Sequence, residues 1–421
     1  MAKDNAYNHL KERGLITHEG GGSLSEILSS PRKVYLGIDP SADSLHVGNL
    51  VPIILMKHLF NQGHEPFLLV GGATGMIGDP RESGERPLLE EEIVQKNTIA
   101  IKKQLSSILE KDGLEVFDNT MWLNKLTLVE FLREVGKNFT VNNLIKRDII
   151  KRRLETEEDS ISYTEFSYSL LQAYDFMYLH QEYDINLQVG GSDQWANIIS
   201  GVDLIRRKKG VSAYALTTPI VIDKVTGKKF GKSEGNAVWL DANKTSPFNF
   251  YQFWLNVSDE NVEEYLYIFS FLSLTEIADV VSNHNLSPQK RIAQKILARE
   301  VTTFVHGAEI VKSLERVSAI LYGSEKVQDI SSEEKELMLQ EVPNKSANAE
   351  NLKAGIKIVD ALVDIDLAKS KAEARRLISG GGVKVNDEVI EAQDAVLTES
   401  DIRNGLIFLK KGKTFALYRV H

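Results

Sequence analysis

Two short strings and one helix face in this chain carry residue types suited to chemistry on phosphates and on a polar small molecule. The first runs Gly37, Ile38, Asp39, Pro40, Ser41 and then Ser44, Leu45, His46, Val47, Gly48, Asn49, where a strand gives way to a helix. Free N–H groups at a helix start attract phosphate, and a glycine lets a nucleotide approach the backbone. His46 and Asn49 add side-chain donors beside them. The second string, KKFGKSEG at 228–235, sets Lys229 and Lys232 on either side of Phe230 and Gly231, with Ser233 behind. Two ammonium groups on a glycine-containing loop can swing onto an anionic leaving group as its charge builds. The third set is Tyr168, Gln172 and Asp175 at i, i+4 and i+7, a polar stripe on one face of an otherwise apolar helix. Taken singly, each has a plain structural explanation: a hydrogen-bonded loop histidine, a solvated lysine turn, a satisfied polar seam.

The elements that must position these residues follow from periodicity. KVYLGI at 33–38 puts Val34, Leu36 and Ile38 on one face and reads as a strand. A helix from about residue 48 to 62 follows, with Pro52 tolerable in its first turns, and then the buried strand of PFLLVGGATG. Strand, helix, strand at that spacing is a parallel βαβ unit, which opens a ligand crevice at the carboxyl ends of its strands. A helix-rich stretch at 125–155, a helix near 164–181, the strand INLQV and a helix entered through GGSDQW extend the alternation. The expected fold class is α/β, a doubly wound, mostly parallel Rossmann-like sheet over 1–220. A catalytic loop and connection at 221–246, an all-helical domain at 247–345 and a small α+β domain at 357–421 are expected after it. The polar segment VPNKSANAENLKAG reads as a linker, assigned to 346–356. In the last domain Ser370 and Glu373 have capping-box spacing, and Gly380 to Gly382 stop the helix.

Composition narrows the classes. A net charge of -9 argues against a surface that is basic all over, so any RNA contact must be local. With 0 cysteines, disulfides and thiolate zinc sites are excluded, and no metal-ligating set is read. The first residues lack the apolar core of a signal peptide, and no apolar run is long enough to span a membrane, so a cytoplasmic protein without membrane association is expected.

The string around His46 resembles the HIGH signature of class I aminoacyl-tRNA synthetases, with Asn49 where the last His usually stands. KKFGKSEG resembles their KMSKS loop. Together with Tyr35, the Tyr168 to Asp175 stripe is similar to the amino-acid pocket of the tyrosyl-tRNA synthetase family. So are GGATGMIGDP, with Gly71, Gly72, Thr74 and Asp79, and GGSDQW, with Gly191, Asp193, Gln194 and Trp195. The resemblance covers nearly the whole chain. It implies an enzyme that activates tyrosine with ATP and transfers it to tRNA(Tyr), with magnesium accompanying ATP and a second copy of the chain in a homodimer. It implies catalytic roles for His46, Asn49, Lys229, Lys232 and Ser233. ATP would meet Gly37, Asp39, Ser41, His46, Gly48, Asn49, Gly191, Asp193, Lys232 and Arg86. Tyr35 and Asp175 would hold the phenol and Asp79, Tyr168 and Gln172 the ammonium group, with Gln188 and Gln194 completing the substrate set.

SKAEARRLISGGGVKVN resembles an RNA-binding module of the ribosomal-protein type, with Lys371, Arg375 and Arg376 on its helix and Lys384 on the hairpin. The cation runs KRDIIKRR (146–153) and IRRKKG (205–210) are further candidates for an acceptor-stem backbone, although most such runs are solvated faces. Two rivals share features: a tryptophanyl enzyme, which has no need of the phenol pair, and an RNA-binding relative without catalysis.

Overall fold

The computed structural model describes residues 3–81, 84, 89–109, 114–156, 159–233, 236–322, 325–412 and 414–420. The chain forms two compact units, one of residues 1–246 and 253–301, the other of 247–252 and 302–421.

The first unit holds the strands β1 (His18–Gly20), β2 (Lys33–Ile38), β3 (Glu65–Val70), β4 (Val116–Asp118), β5 (Leu187–Gly191) and β6 (Tyr214–Thr218), in the order β1-β6-β5-β2-β3-β4. All neighbours are parallel except β1, which runs antiparallel to β6 at the edge. Strands covered on both faces need continuous apolar sequence, which EPFLLV and YALTT supply. From β2 the chain order runs to β3 and β4 on one side and to β5 and β6 on the other, so a crevice opens at the carboxyl ends of β2 and β5. Register sets its floor: Tyr35 pairs with Phe67 on one side and Gln188 on the other. A small hairpin, β7 (Lys232–Ser233) with β8 (Asn236–Ala237), follows the sheet. The edge strand β1 has only three residues and no alternation of its own, so no sequence period could announce it.

One wall of the crevice is the helix Tyr163–Tyr183. It starts at Ser162, whose side chain accepts from the Glu165 N–H, and ends at Asp184 in the left-handed conformation. Its partner is the helix Trp195–Lys209. At their crossing Gly201 faces Phe176, where an added Cβ would lie 2.8 Å from the ring. The first turn is held from below by Arg153, 1% exposed, whose Nη1 donates to both carboxylate oxygens of the buried Glu165 at 2.9 and 3.0 Å. Arg153 is therefore a structural cation and leaves the candidate RNA-binding run 146–153.

The second unit contains β9 (Asn344–Ala347), β10 (Ile356–Lys357), β11 (Val383–Val385), β12 (Glu388–Val389), β13 (Val396–Leu397), β14 (Leu406–Lys411) and β15 (Thr414–Val420). Five of these make a sheet in the order β12-β11-β14-β15-β9, and β10 pairs with β13.

Two expectations are corrected. The helical stretch at 247–345 is not one domain, since 253–301 belongs to the first unit and 302–345 to the second. A 3.6-residue period shows that a helix has a buried face but not which core covers it. The segment expected as a linker at 346–356 is structured: β9 pairs parallel with β15, and the helix Ala349–Ala354 follows, capped by Asn348. An edge strand and a short helix covered on one side need few apolar residues, and here Ala347 and Leu352 suffice.

Gly201→Val forces the two helices apart at Phe176. The expected cost is about 1–3 kcal/mol in urea unfolding, with a raised KM for the ligand bound on the Tyr163–Tyr183 face.

Candidate active site

A cleft of about 420 Å³ opens at the carboxyl ends of β2 and β5, within the range of small-molecule sites. The structure brings into it Tyr35, Asp79, Tyr168, Gln172, Asp175, Gln188 and Gln194 from the expected amino-acid set. It also brings in Gly37, Asp39, Ser41, His46, Gly48, Asn49, Gly191, Asp193 and Lys229 from the nucleotide set. Lys232 and Ser233 lie in β7, just beyond Lys229. Arg86 lies outside the described residues.

The floor is built around a buried carboxylate. Asp175, 1% exposed, accepts from Trp122 Nε1 at 2.7 Å and from Asn119 Nδ2 at 3.0 Å. Burial nevertheless dominates and raises its pKa from 3.8 to about 7, against those two hydrogen bonds. Tyr35 is fully buried beside it, and burial with the Asp175 charge pushes its phenol pKa well up. The Tyr35 hydroxyl, Gln172 Oε1 and Gln188 Oε1 are buried without a hydrogen-bond partner. Three orphaned polar atoms around one carboxylate are costly in a core, and in a cleft they mark where a polar ligand completes the network.

Toward the mouth, Tyr168 Oη donates to Asp39 Oδ2 at 2.6 Å, and Thr74 Oγ1 donates to Asp39 Oδ1 at 2.8 Å. Asp79 accepts from Gln194 Nε2 at 2.7 Å and from Asn197 Nδ2 at 3.0 Å. The two carboxylates give the cleft a negative lip suited to an ammonium group.

The phosphate side is organised by a turn. His46 Nδ1 accepts from the Gly48 N–H at 3.0 Å, and Asn49 Oδ1 accepts from the His46 N–H at 3.1 Å, a reciprocal cap at the start of the helix. Asn49 thus fixes the turn through its oxygen and keeps an amide donor. Gly48 must lack a Cβ, which would fall 2.8 Å from the His46 ring. Gly231 has φ +80° and stands so close that a Cβ would lie 2.7 Å from Val47. The segment after the lysine loop pairs with this turn: the Val47 N–H donates to the Val238 carbonyl and the Leu240 N–H to the Leu45 carbonyl, at 2.9 and 2.8 Å. Between the two lysines Phe230 is buried, 4.8 Å from the Tyr265 ring centroid and 5.2 Å from that of Phe269.

Sequence reasoning missed Asn119 and Trp122, which hold Asp175, and Asn197, which holds Asp79. The string DNTMW directly after β4 was the available signal, because polar residues at the end of a buried parallel strand face the crevice.

Outside the cleft, the cation runs of the two units have different surroundings. In the first, Lys208 pairs with Glu134, and Arg207 donates to the Asn138 carbonyl, so the 205–210 run is partly tied to its own surface. In the second, Lys371 pairs with Asp360 at 2.7 Å, Arg375 and Arg376 are exposed, and Lys384 is half-buried on β11.

Comparison with known proteins agrees with this geometry. Residues 29–323 match the family model of tRNA synthetases class I (W and Y), and residues 334–417 that of the tyrosine–tRNA ligase SYY-like C-terminal domain. The tyrosine–tRNA ligase of Lactococcus lactis subsp. cremoris strain MG1363 is 43% identical over 419 residues, covering 97% of this chain and 98% of its own. That of Streptococcus mutans is 43% identical over 415 residues, with 97% of each chain covered. The crystal structure of a C-terminally truncated Coccidioides posadasii mitochondrial tyrosyl-tRNA synthetase superposes with TM-score 0.64 at 29% identity, over 74% of this chain and 91% of that one. Plasmodium falciparum tryptophanyl-tRNA synthetase shares the fold, with TM-score 0.53 at 16% identity over 74% and 87% of the two chains.

Asp175 predicts a pH dependence. Its native carboxyl keeps a proton up to about pH 7, whereas in the unfolded chain it releases it near 3.8, so the native state binds more protons between these values. Its contribution to stability is whole below the lower value and is lost as pH rises through the upper one, on the order of 4 kcal/mol. Unfolding measured at pH 5 and pH 8 should show wild type losing stability relative to Asp175→Asn as pH rises. A gap that stays constant would refute the assignment.

Proposed function

We propose a division of labour for this cleft on the premise that the chain belongs to the bacterial-type class I tyrosyl-tRNA synthetases. The protein is a tyrosine–tRNA ligase: it activates L-tyrosine with ATP to tyrosyl-adenylate and pyrophosphate, then transfers tyrosine to the 3′ end of tRNA(Tyr). What is proposed is which residues do this. The observation that carries the reading is that the cleft lined by Asp175 also holds orphaned atoms on Tyr35, Gln172 and Gln188. A tyrosine phenol both donates and accepts, so it satisfies Asp175 and the Tyr35 hydroxyl together, whereas an indole or a phenyl ring cannot. The substrate ammonium then falls to Asp79, Tyr168 and Gln172 at the lip, and Gln194 reaches the carboxylate.

The tyrosine carboxylate is ionised at neutral pH and needs no general base. Its oxygen bonds to the α-phosphorus as the bond to the pyrophosphate oxygen breaks. His46, the Gly48 and Asn49 turn, Lys229 and Lys232 neutralise the charge that develops, and Asp193 takes the ribose hydroxyls. Ser233 stands next to Lys232 in the same loop. Magnesium enters the proposal on the nucleotide: among the described residues no three metal-ligating side chains cluster, and this cation is commonly held by substrate phosphates with one or two carboxylates. When bound, it supplies charge neutralisation on the phosphates.

The homodimer belongs to the same proposal. The helix Leu128–Glu134 buries none of its residues and leaves Leu128 and Val129 71% and 73% exposed, an apolar face of the kind subunit contacts cover. RNA contact through Lys371, Arg375, Arg376 and Lys384 and a cytoplasmic place of action complete it. No helix among the described residues is long and apolar enough to cross a membrane.

Tyrosine-dependent ATP–pyrophosphate exchange tests the site. Lys229→Ala or Lys232→Ala should lower kcat by about 10²-fold with the tyrosine KM unchanged. Tyr35→Phe should reduce the preference for tyrosine over phenylalanine by about tenfold. Unchanged kcat in both lysine variants would remove the loop from catalysis. Light scattering should give the mass of two chains, and Val129→Arg should shift it toward one.

A further inference from the structure

Arg13 is a buried cation, 1% exposed, that does not line the catalytic cleft. It stands directly after the helix Lys3–Glu12, which Gly14, at φ +69°, brings to a close. Its Nη1 donates to the carbonyls of Tyr267 and Ser270 at 2.9 and 2.7 Å, its Nη2 to that of Leu272, and its Nε to His9 Nε2 at 2.8 Å. These carbonyls end the helix Asp259–Phe269 and begin the turn after it. The last carbonyls of a helix lack partners within it, and the helix dipole favours a cation beside them. Burial lowers the Arg13 pKa to about 10, which leaves the guanidinium charged at neutral pH.

The helix capped in this way is the one that bears the lysine loop. Tyr265 and Phe269 on its face pack against Phe230, the residue between Lys229 and Gly231. Nearer its start, the buried Asn261 accepts from the Lys224 N–H at 3.0 Å and donates to Ser258 Oγ at 3.0 Å, while Lys224 Nζ pairs with Glu264 at 2.7 Å. Lys224 belongs to the turn that leads into the loop, closed by the Asp223 N–H donating to the Lys228 carbonyl at 3.0 Å. The loop is thus joined to this helix twice, at its stem and at Phe230.

The same cluster reaches the His46 turn. His58 lies on the helix Leu50–Asn61, which starts where that turn ends. Its ring is 4.9 Å from Phe271 and 5.5 Å from His9. Burial, with the Arg13 charge beside it, lowers the His58 pKa to about 3, so His58 serves as a neutral aromatic face. The segment 270–272 therefore meets Arg13 through its carbonyls and the helix of the His46 turn through the Phe271 ring.

We propose that Arg13 is a positioning residue for tyrosine activation. By fixing the end of the helix Asp259–Phe269 against the helix Leu50–Asn61, it sets where Phe230, and with it Lys229 and Lys232, stand relative to the His46 turn. The inference rests on the catalytic role given above to the two lysines. A misplacement of about 1 Å at a reacting group can cost about 10²-fold in rate even when its source is remote. The floor of the tyrosine pocket is held separately, by Asn119 and Trp122 on Asp175, so tyrosine binding does not depend on Arg13. The N-terminal helix thereby acquires a task in the chemistry although Arg13 touches no reacting group.

The test uses the full-length enzyme. Arg13→Met keeps the apolar stem and removes every donor. It should lower kcat of tyrosine-dependent pyrophosphate exchange about tenfold and leave the tyrosine Kd within about twofold of wild type, with Arg13→Lys recovering part of the rate. A double-mutant comparison separates positioning from general damage. With Lys229 and Lys232 both changed to Ala, Arg13→Met should cost less than about twofold more, because the groups it positions are gone. Asn261→Ala, near the other end of the same helix, should show the same pattern. If Arg13→Met does not fold, seen as lost tyrosine binding, Arg13→Lys and Asn261→Ala decide by the same comparison. Wild-type kcat, a loss that multiplies in full with that of the lysine variants, or a tyrosine Kd that rises as kcat falls overturns the proposal. Lysine variants that themselves keep wild-type kcat would instead sink the loop reading, and the inference with it.

Discussion

The fold of the first unit is organised around one electrostatic constraint, a carboxylate that must stay in the core. Asp175 sits under the carboxyl end of β2 with 1% of its surface exposed, in surroundings that favour its neutral form. Such a group is tolerated where donors are fixed in place, and both donors here come from the segment after β4. Trp122 and Asn119 follow β4, Asn119 is itself held by donating to Thr74 Oγ1 at 3.0 Å, and the Ala73 N–H donates back to Asn119 Oδ1 at 2.8 Å. The loops after β3 and β4 and the Tyr163–Tyr183 helix are thereby locked to one another. The floor of the cleft and the tie between these elements are the same set of hydrogen bonds.

The phosphate side obeys a different constraint, close approach of two backbones. Gly48 and Gly231 are both positions where a side chain would collide, the first with His46 and the second with Val47. Phe230 is the anchor that lets the lysine loop work at this distance. Its ring is sunk among Phe253, Trp254, Tyr265 and Phe269, so Lys229 is carried to the cleft by a buried neighbour.

What was legible in the sequence follows from these constraints. The runs KVYLGI and EPFLLV announce strands because a doubly covered parallel strand must be apolar throughout, and the Tyr168, Gln172, Asp175 stripe is visible because a helix period puts all three on one face. The strings around His46 and Lys229 are legible as residue types suited to phosphate, and the structure places both residues on the cleft. Asn119, Trp122 and Asn197 were not, since they touch other protein side chains and obey no spacing rule. β9 was hidden for a related reason: one buried alanine in NKSA is all that an edge strand requires. Arg153 shows the reverse error, a cation in a basic run whose burial against Glu165 only the tertiary structure reveals.

Asp79 sits where two cavities of the first unit meet. It lies in the wall between the cleft and the neighbouring chamber, held by Gln194 on one side and Asn197 on the other. Two neutral amides thus fix the direction of this carboxylate at the mouth of the cleft. Asn197 in turn accepts from Arg147 Nη1 at 3.4 Å, so the hydrogen bonds of the lip continue into the wall of the neighbouring cavity.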